Sequence, residues 1–178
     1  MSESAPRVSE RAATLRLEFD CAFAEPIRPG TAAKEDLLGI RVGAQAYAIR
    51  LSEIAGLHAG KKITRVPGSH AALCGIAGFR GALLPVYDLQ ALLGHSGVET
   101  PRWLVIAQGA PVALAFDAFE GHLRASRDEI APHSARPEMP RYARELVRLP
   151  NFIGPILHLP SVLEAIKALR TEATSTEE

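Results

Sequence analysis

Few side chains in this chain have a type and spacing suited to chemistry, and the best placed are charged groups set against apolar strands. In residues 75–89, GIAGFRGALLPVYDL, the charged residues are Arg80 and Asp88. Two short apolar runs meet at Arg80. Gly78 and Gly81 let the backbone turn or be approached without a Cβ penalty, with Gly75 and Pro85 completing the motif. An arginine in apolar, glycine-rich surroundings suits an interface anchor, so Phe79, Arg80 and Gly81 are candidate partner-binding residues. The competing reading, Arg80 paired with Asp88 on its own sheet, would contribute only about 0–1 kcal/mol. Asp88 is better placed to cap a short helix over 89–93.

Reaction chemistry finds no comparable support. The six histidines, at 58, 70, 95, 122, 133 and 158, show no H-x-x-x-H spacing, and Cys21 and Cys74 form no C-x-x-C. Gly-x-Ser-x-Gly is absent, and no glycine-rich loop opens a helix after a strand. The expectation is a surface that binds, with no catalytic residue, cofactor or metal.

The elements that must position Arg80 are short. From residue 37, apolar runs broken by Gly, Pro and polar pairs recur every 8–12 residues or so, the texture of an all-β sandwich or barrel. Leu38, Ile40 and Val42 alternate, Gly43-Ala44 turns, and Tyr47, Ile49 and Leu51 alternate on the return. A helical turn over 52–54, an extended stretch over 55–59, a Pro67-Gly68 turn and a brief helix from Ser69 to Leu73 lead into the hairpin. Strands are expected over 103–107, 112–116, 121–125, 146–152 and 156–159, with a proline-rich exposed connection over 131–144. Ser161 would cap a terminal helix carrying Val162, Leu163, Ile166 and Leu169 and ending near Arg170, before a polar tail over 171–178. Residues 1–36 read as an N-terminal arm. Its stretch 9–24 fits strand and helix periodicity alike, and propensity favours the helix.

Composition bounds the partners. With 178 residues, 47% of them hydrophobic, the chain can build a real core. Its 20 basic and 20 acidic residues leave no overall positive field for a nucleic acid backbone. Two cysteines without a pairing pattern suggest free thiols in a reducing cytoplasm, and no signal segment or membrane-length apolar run is evident, so no membrane insertion is expected.

Residues 37–170 resemble the CheW-like domain. The hairpin LGIRVGAQAYAI at 38–49 is similar to the family's opening strands, ITRVPG at 63–68 to its Pro-Gly turn, and 75–89 to its Arg-Gly signature. The resemblance implies a mainly β fold of two five-stranded SH3-like barrel subdomains sharing a core, with short helices and a C-terminal helix. It implies a non-catalytic adaptor that bridges chemoreceptor cytoplasmic tips and the regulatory domain of a histidine kinase. By position, Arg80 matches the arginine after the signature strand, and Ile54, Gly56 and His58 lie on an edge used near the kinase contact. The chain departs from the family pattern at Gly78-Phe79, where Asn is frequent, at Gly56, where an acid is frequent, and at Leu159-Pro160, where Leu-Asp is usual. The departure at Gly56 leaves a second reading, a scaffold of a related pathway, such as pilus motility, with one surface lost; a third is an enzyme or small-molecule sensor, since a cleft between the barrels is a common kind of ligand site.

Overall fold

The computed structural model describes residues 34–66, 71–95, 101–132 and 141–175. The predicted arm helix, Cys21, the Pro67-Gly68 turn, most of the proline-rich connection and the last three residues lie outside them.

Apolar patterning produces eleven strands among the described residues: β1 (Glu35–Val42), β2 (Gln45–Arg50), β3 (Ile54–Ala59), β4 (Leu73–Phe79), β5 (Ala82–Asp88), β6 (Trp103–Ala107), β7 (Ala113–Phe116), β8 (Ala118–Ala125), β9 (Ile130–Pro132), β10 (Ala143–Leu149) and β11 (Phe152–Leu157). Helix α1 (Leu89–Leu93) follows β5 and helix α2 (Leu159–Ser175) follows β11. One sheet has the order β8-β1-β2-β11-β10-β9 and the other β3-β6-β7-β5-β4. All pairs are antiparallel except β11 with β2 and β5 with β7.

Chain length forces both sheets to curl. Laid flat, six strands would separate β8 from β9 by ~24 Å, yet the five steps from Ala125 to Ile130 reach at most ~18 Å. The 3-10 turn Arg127–Glu129 makes that connection. The smaller sheet closes similarly: soon after leaving β3, Thr64 bridges Ile76 on the far side of β4, through two hydrogen bonds of 2.8 Å. Two barrels result. β9 is a sixth, three-residue strand on the first, short and ending on Pro132, as a strand edge tolerates.

Three apolar clusters follow from the period-2 alternation. Leu37, Ala48, Leu123, Val147, Phe152 and Ile156 fill the first barrel, while Ala77, Phe79, Leu84, Val86, Leu104 and Ala113 fill the second. Residues of opposite parity, among them Ile40, Tyr47, Ile49, Val105, Leu114 and Phe116, meet between the barrels with Leu89, Leu159 and Ile166 from the helices. Strands buried on both faces therefore read as continuous apolar runs, as in Ala113–Phe116.

Several sequence expectations need correction. Leu51 opens a 3-10 turn, Leu51–Glu53, and is exposed rather than continuing β2. No helix leads through Leu73, which starts β4 after a turn at 71–72. Residues 146–152 are not one strand: Pro150-Asn151 makes a two-residue turn between Leu149 and its partner Phe152, and β10 already begins at Ala143 within the expected connection. Helix α2 starts two residues before Ser161. His158 precedes it, with Nδ1 accepting from the Ser161 amide at 3.3 Å, and Glu53 accepts from the Leu159 amide at 2.7 Å. The helix runs on to Ser175, five residues past Arg170 and into the expected polar tail.

Candidate partner-docking site

The signature hairpin turns at Arg80-Gly81, between the paired residues Phe79 and Ala82. Arg80 has φ +47° and Gly81 φ +87°, the left-handed pair of a tight hairpin turn whose twist matches its strands. Glycine takes the second position at no steric cost. At the first, an L-residue costs about 1–2 kcal/mol, and Arg80 is the one non-glycine residue with positive φ among those described. Strain held at an exposed, charged tip points to a position kept for its side chain.

Gly78, grouped with the turn by sequence, has a different place. It lies within β4 opposite Leu83, without positive φ, and a Cβ there would meet nothing within 4 Å. Gly75 carries the structural demand. Its φ is +142°, and a Cβ would fall 2.1 Å from the Thr64 carbonyl oxygen, so the chain that closes the barrel crosses directly over it. Pro85 pairs with Ile76 just before the parallel β5–β7 ladder begins at Val86, where its missing N–H breaks no bond in that ladder. The Asp88 carboxylate accepts from the Gln90 amide at 2.8 Å and caps α1.

Closure of the smaller barrel brings its first edge strand, β3, to the hairpin tip. Gly56 and His58 oppose Ile106 and Leu104 of β6 and so face the barrel's own interior, near its mouth. The His58 ring lies 5.0 Å from the Phe79 ring, tilted 58°. Lys61, on the connection after β3, sets its Nζ 5.7 Å from the centroid of the same ring. Burial first, then the charges of Lys61 and Arg80, hold the His58 imidazole below its ordinary range. Lys61 and Arg80 thus form a cationic pair, with the titratable His58 ring between them, around an aromatic floor.

Two predicted contact residues are placed otherwise. Phe79 is 4% exposed and belongs to the barrel core, so it supports His58 and Lys61 and offers no free surface itself. Ile54 turns its side chain to the core between the barrels. Gly56 has little room to spare: a Cβ there would come 3.3 Å from His58 Nε2, tighter than ordinary packing, and 3.8 Å from Ile106 Cδ1.

Sequence reasoning missed Lys61, although a Gly-Lys-Lys run directly after an apolar edge strand was its signal. It also missed Leu83, 72% exposed, which alternation places outward because Leu84 and Val86 face inward. Cys74 is half-buried, and its thiol is pushed up to about 11, chiefly by burial and then by Asp88, which keeps it protonated and unreactive. Among the described residues no three His, Cys, Asp or Glu side chains group to hold a metal ion, and no helix is long and apolar enough to cross a membrane.

Comparison with known proteins agrees with this fold. Residues 36–167 match the family described as the CheW-like domain. Among curated relatives, the chemotaxis protein CheW of Bacillus subtilis is 27% identical over 138 residues, covering 73% of this chain and 87% of that protein. The chemotaxis protein CheW of Rhizobium meliloti is 30% identical over 101 residues, covering 54% of this chain and 65% of that one. Among solved structures, the scaffolding protein TtCheW of Thermoanaerobacter tengcongensis superposes with a TM-score of 0.65 at 16% identity, covering 71% of this chain and 90% of its own, a likeness of fold.

Proposed function

Since the chain belongs to the CheW-like domain family, we propose that it is a non-catalytic, cytoplasmic adaptor of a chemotaxis-type signalling system, joining a chemoreceptor's cytoplasmic tip to the regulatory domain of a histidine kinase. The observation that carries the reading is the barrel mouth, where Arg80 is held in a left-handed conformation and exposed beside the end strand β3. The names of the relatives, chemotaxis protein and scaffolding protein, support it. Such an adaptor passes a signal by binding two arrangements of its partners with different free energies. A coupling of about 1–3 kcal/mol is typical of linked sites.

The test is binding of the full chain to kinase regulatory-domain and receptor-tip fragments from the same cell, by calorimetry. Arg80→Glu should weaken at least one interaction about tenfold or more with thermal stability unaltered. Loss of stability with unaltered affinity of the folded fraction would make Arg80 structural, and failure to bind either fragment would remove the adaptor reading.

A further inference from the structure

Among the described residues, the cations at the mouth of the smaller barrel have no counter-charge there. Six ion pairs hold the described surface, including Arg41 with Glu120, Arg50 with Glu35 and Glu145, and Lys167 with Glu164, but none involves His58, Lys61 or Arg80. The charged groups that act on His58 are Lys61, from the connection after β3, and Arg80, from the hairpin tip. Its neighbours on β4 and β6, Phe79 and Leu104, are uncharged. Gly56 opposes Ile106 on the same face and supplies no side chain.

We propose that this mouth docks an acidic segment of a protein partner, whose carboxylate meets Arg80, Lys61 and His58. This rests on the adaptor reading and deepens it by naming the chemistry of the partner. Two cations and a titratable imidazole clustered on a chain of zero net charge suit one or two carboxylates, while a nucleic acid or an anionic membrane needs an extended field. A carboxylate beside His58 favours the imidazolium. Docking therefore takes up a proton, and affinity grows as pH falls through the titration of His58.

The test uses the intact chain and two short probe peptides, Glu-Leu-Glu-Leu-Glu and Gln-Leu-Gln-Leu-Gln, followed by NMR of the His58 ring protons. The Glu peptide should shift the His58 resonances, raise the pH at which they titrate and bind several-fold more tightly at about pH 5.5 than at about pH 8, with weakening by salt. The Gln peptide should do none of these. Gly56→Glu should supply the carboxylate in cis, raise the His58 titration by itself and weaken binding well beyond Gly56→Gln, whose Cβ presses on the His58 ring equally. Equal shifts with both peptides, equal loss in both variants, or tighter binding of a short oligonucleotide or anionic vesicles than of the Glu peptide would overturn the proposal. No kinase or receptor enters the measurement, so a negative result removes the acidic-segment assignment and leaves the adaptor reading to its own binding test.

Discussion

Replacing Gly75 by alanine puts the closure of the smaller barrel to a direct test. The added Cβ would lie 2.1 Å from the Thr64 carbonyl oxygen and 2.7 Å from its carbonyl carbon, both backbone atoms that no rotamer change can move aside. The alanine must also hold φ near +142°, a region that costs about 1–3 kcal/mol. Relief requires residues 60–66 to lift off β4, which breaks the two 2.8 Å bonds between Thr64 and Ile76, each contributing about 1 kcal/mol. The lower freedom of the unfolded alanine chain offsets up to about 1 kcal/mol, leaving a loss of about 2–4 kcal/mol. For a domain of this size that is a fall in Tm of ~6–12 °C, readable by thermal unfolding followed by circular dichroism. Gly78→Ala is the control: nothing lies within 4 Å of its Cβ and its φ is unremarkable, so stability should stay within about 0.5 kcal/mol of the parent. A harmless Gly75→Ala, or a Gly78→Ala as costly, would refute the argument that strand closure demands glycine at 75 and leaves position 78 free.

Three further outcomes are expected. Burial raises the Asp88 carboxyl, partly countered by its bonds to the Gln90 and Ala91 amides. The folded state then binds the proton more tightly than the unfolded one, so Asp88 makes stability decline as pH rises from about 4 through its raised pKa. Asp88→Asn keeps the cap and should flatten that decline in urea titrations across pH, whereas Asp88→Ala should lose about 1 kcal/mol throughout. Glu53→Ala removes the acceptor for the Leu159 amide at the start of α2 and should cost about 1–3 kcal/mol, most visibly as faster amide exchange in the first turn of that helix. Lys61→Gln should lift the His58 titration by NMR, because one of the two charges that depress it is gone; an unmoved titration would show that Lys61 is not seated over Phe79.

The fold was legible where local pattern and tertiary demand agree. Alternation located β1 and β2, short apolar runs between turn signals located β6 and β7, and Gly94 after 89–93 bounded α1, because each depends on neighbours in sequence. Long-range causes escaped. The start of α2 is fixed by Glu53, 106 residues away, and by the His158 ring, neither of which has an ordinary capping signature, so Ser161 drew the assignment. Pro150-Asn151 is a turn because Leu149 and Phe152 must pair, while the surrounding apolar residues read as one run. At the candidate site, Arg80 was visible as a lone charge in an apolar hairpin. Its meeting with His58 and Lys61 was not, because that depends on a sheet curling until its two edges approach. The same curl explains why Phe79, beside Arg80 in sequence, is core.

That curl is built twice, from exchanged parts. The first barrel takes β1 and β2 from the first half of the chain and β8 to β11 from the second, while the other takes β3, β4 and β5 from the first and β6 and β7 from the second. In each, a hairpin's second strand lies parallel to the second strand of a hairpin from the other half, β5 on β7 and β11 on β2, and leads into a helix. The two tips correspond, and so do their most exposed apolar residues, Leu83 at 72% and Ile153 at 66%, each the second residue of its strand. Neither barrel can form from one half alone. Their shared core, close-packed between the sheets, leaves no linker about which the mouths could swing independently. The proposed bridging needs that property: two partners held on one rigid body at fixed geometry can feel each other's rearrangement, whereas two domains on a flexible tether would share only proximity.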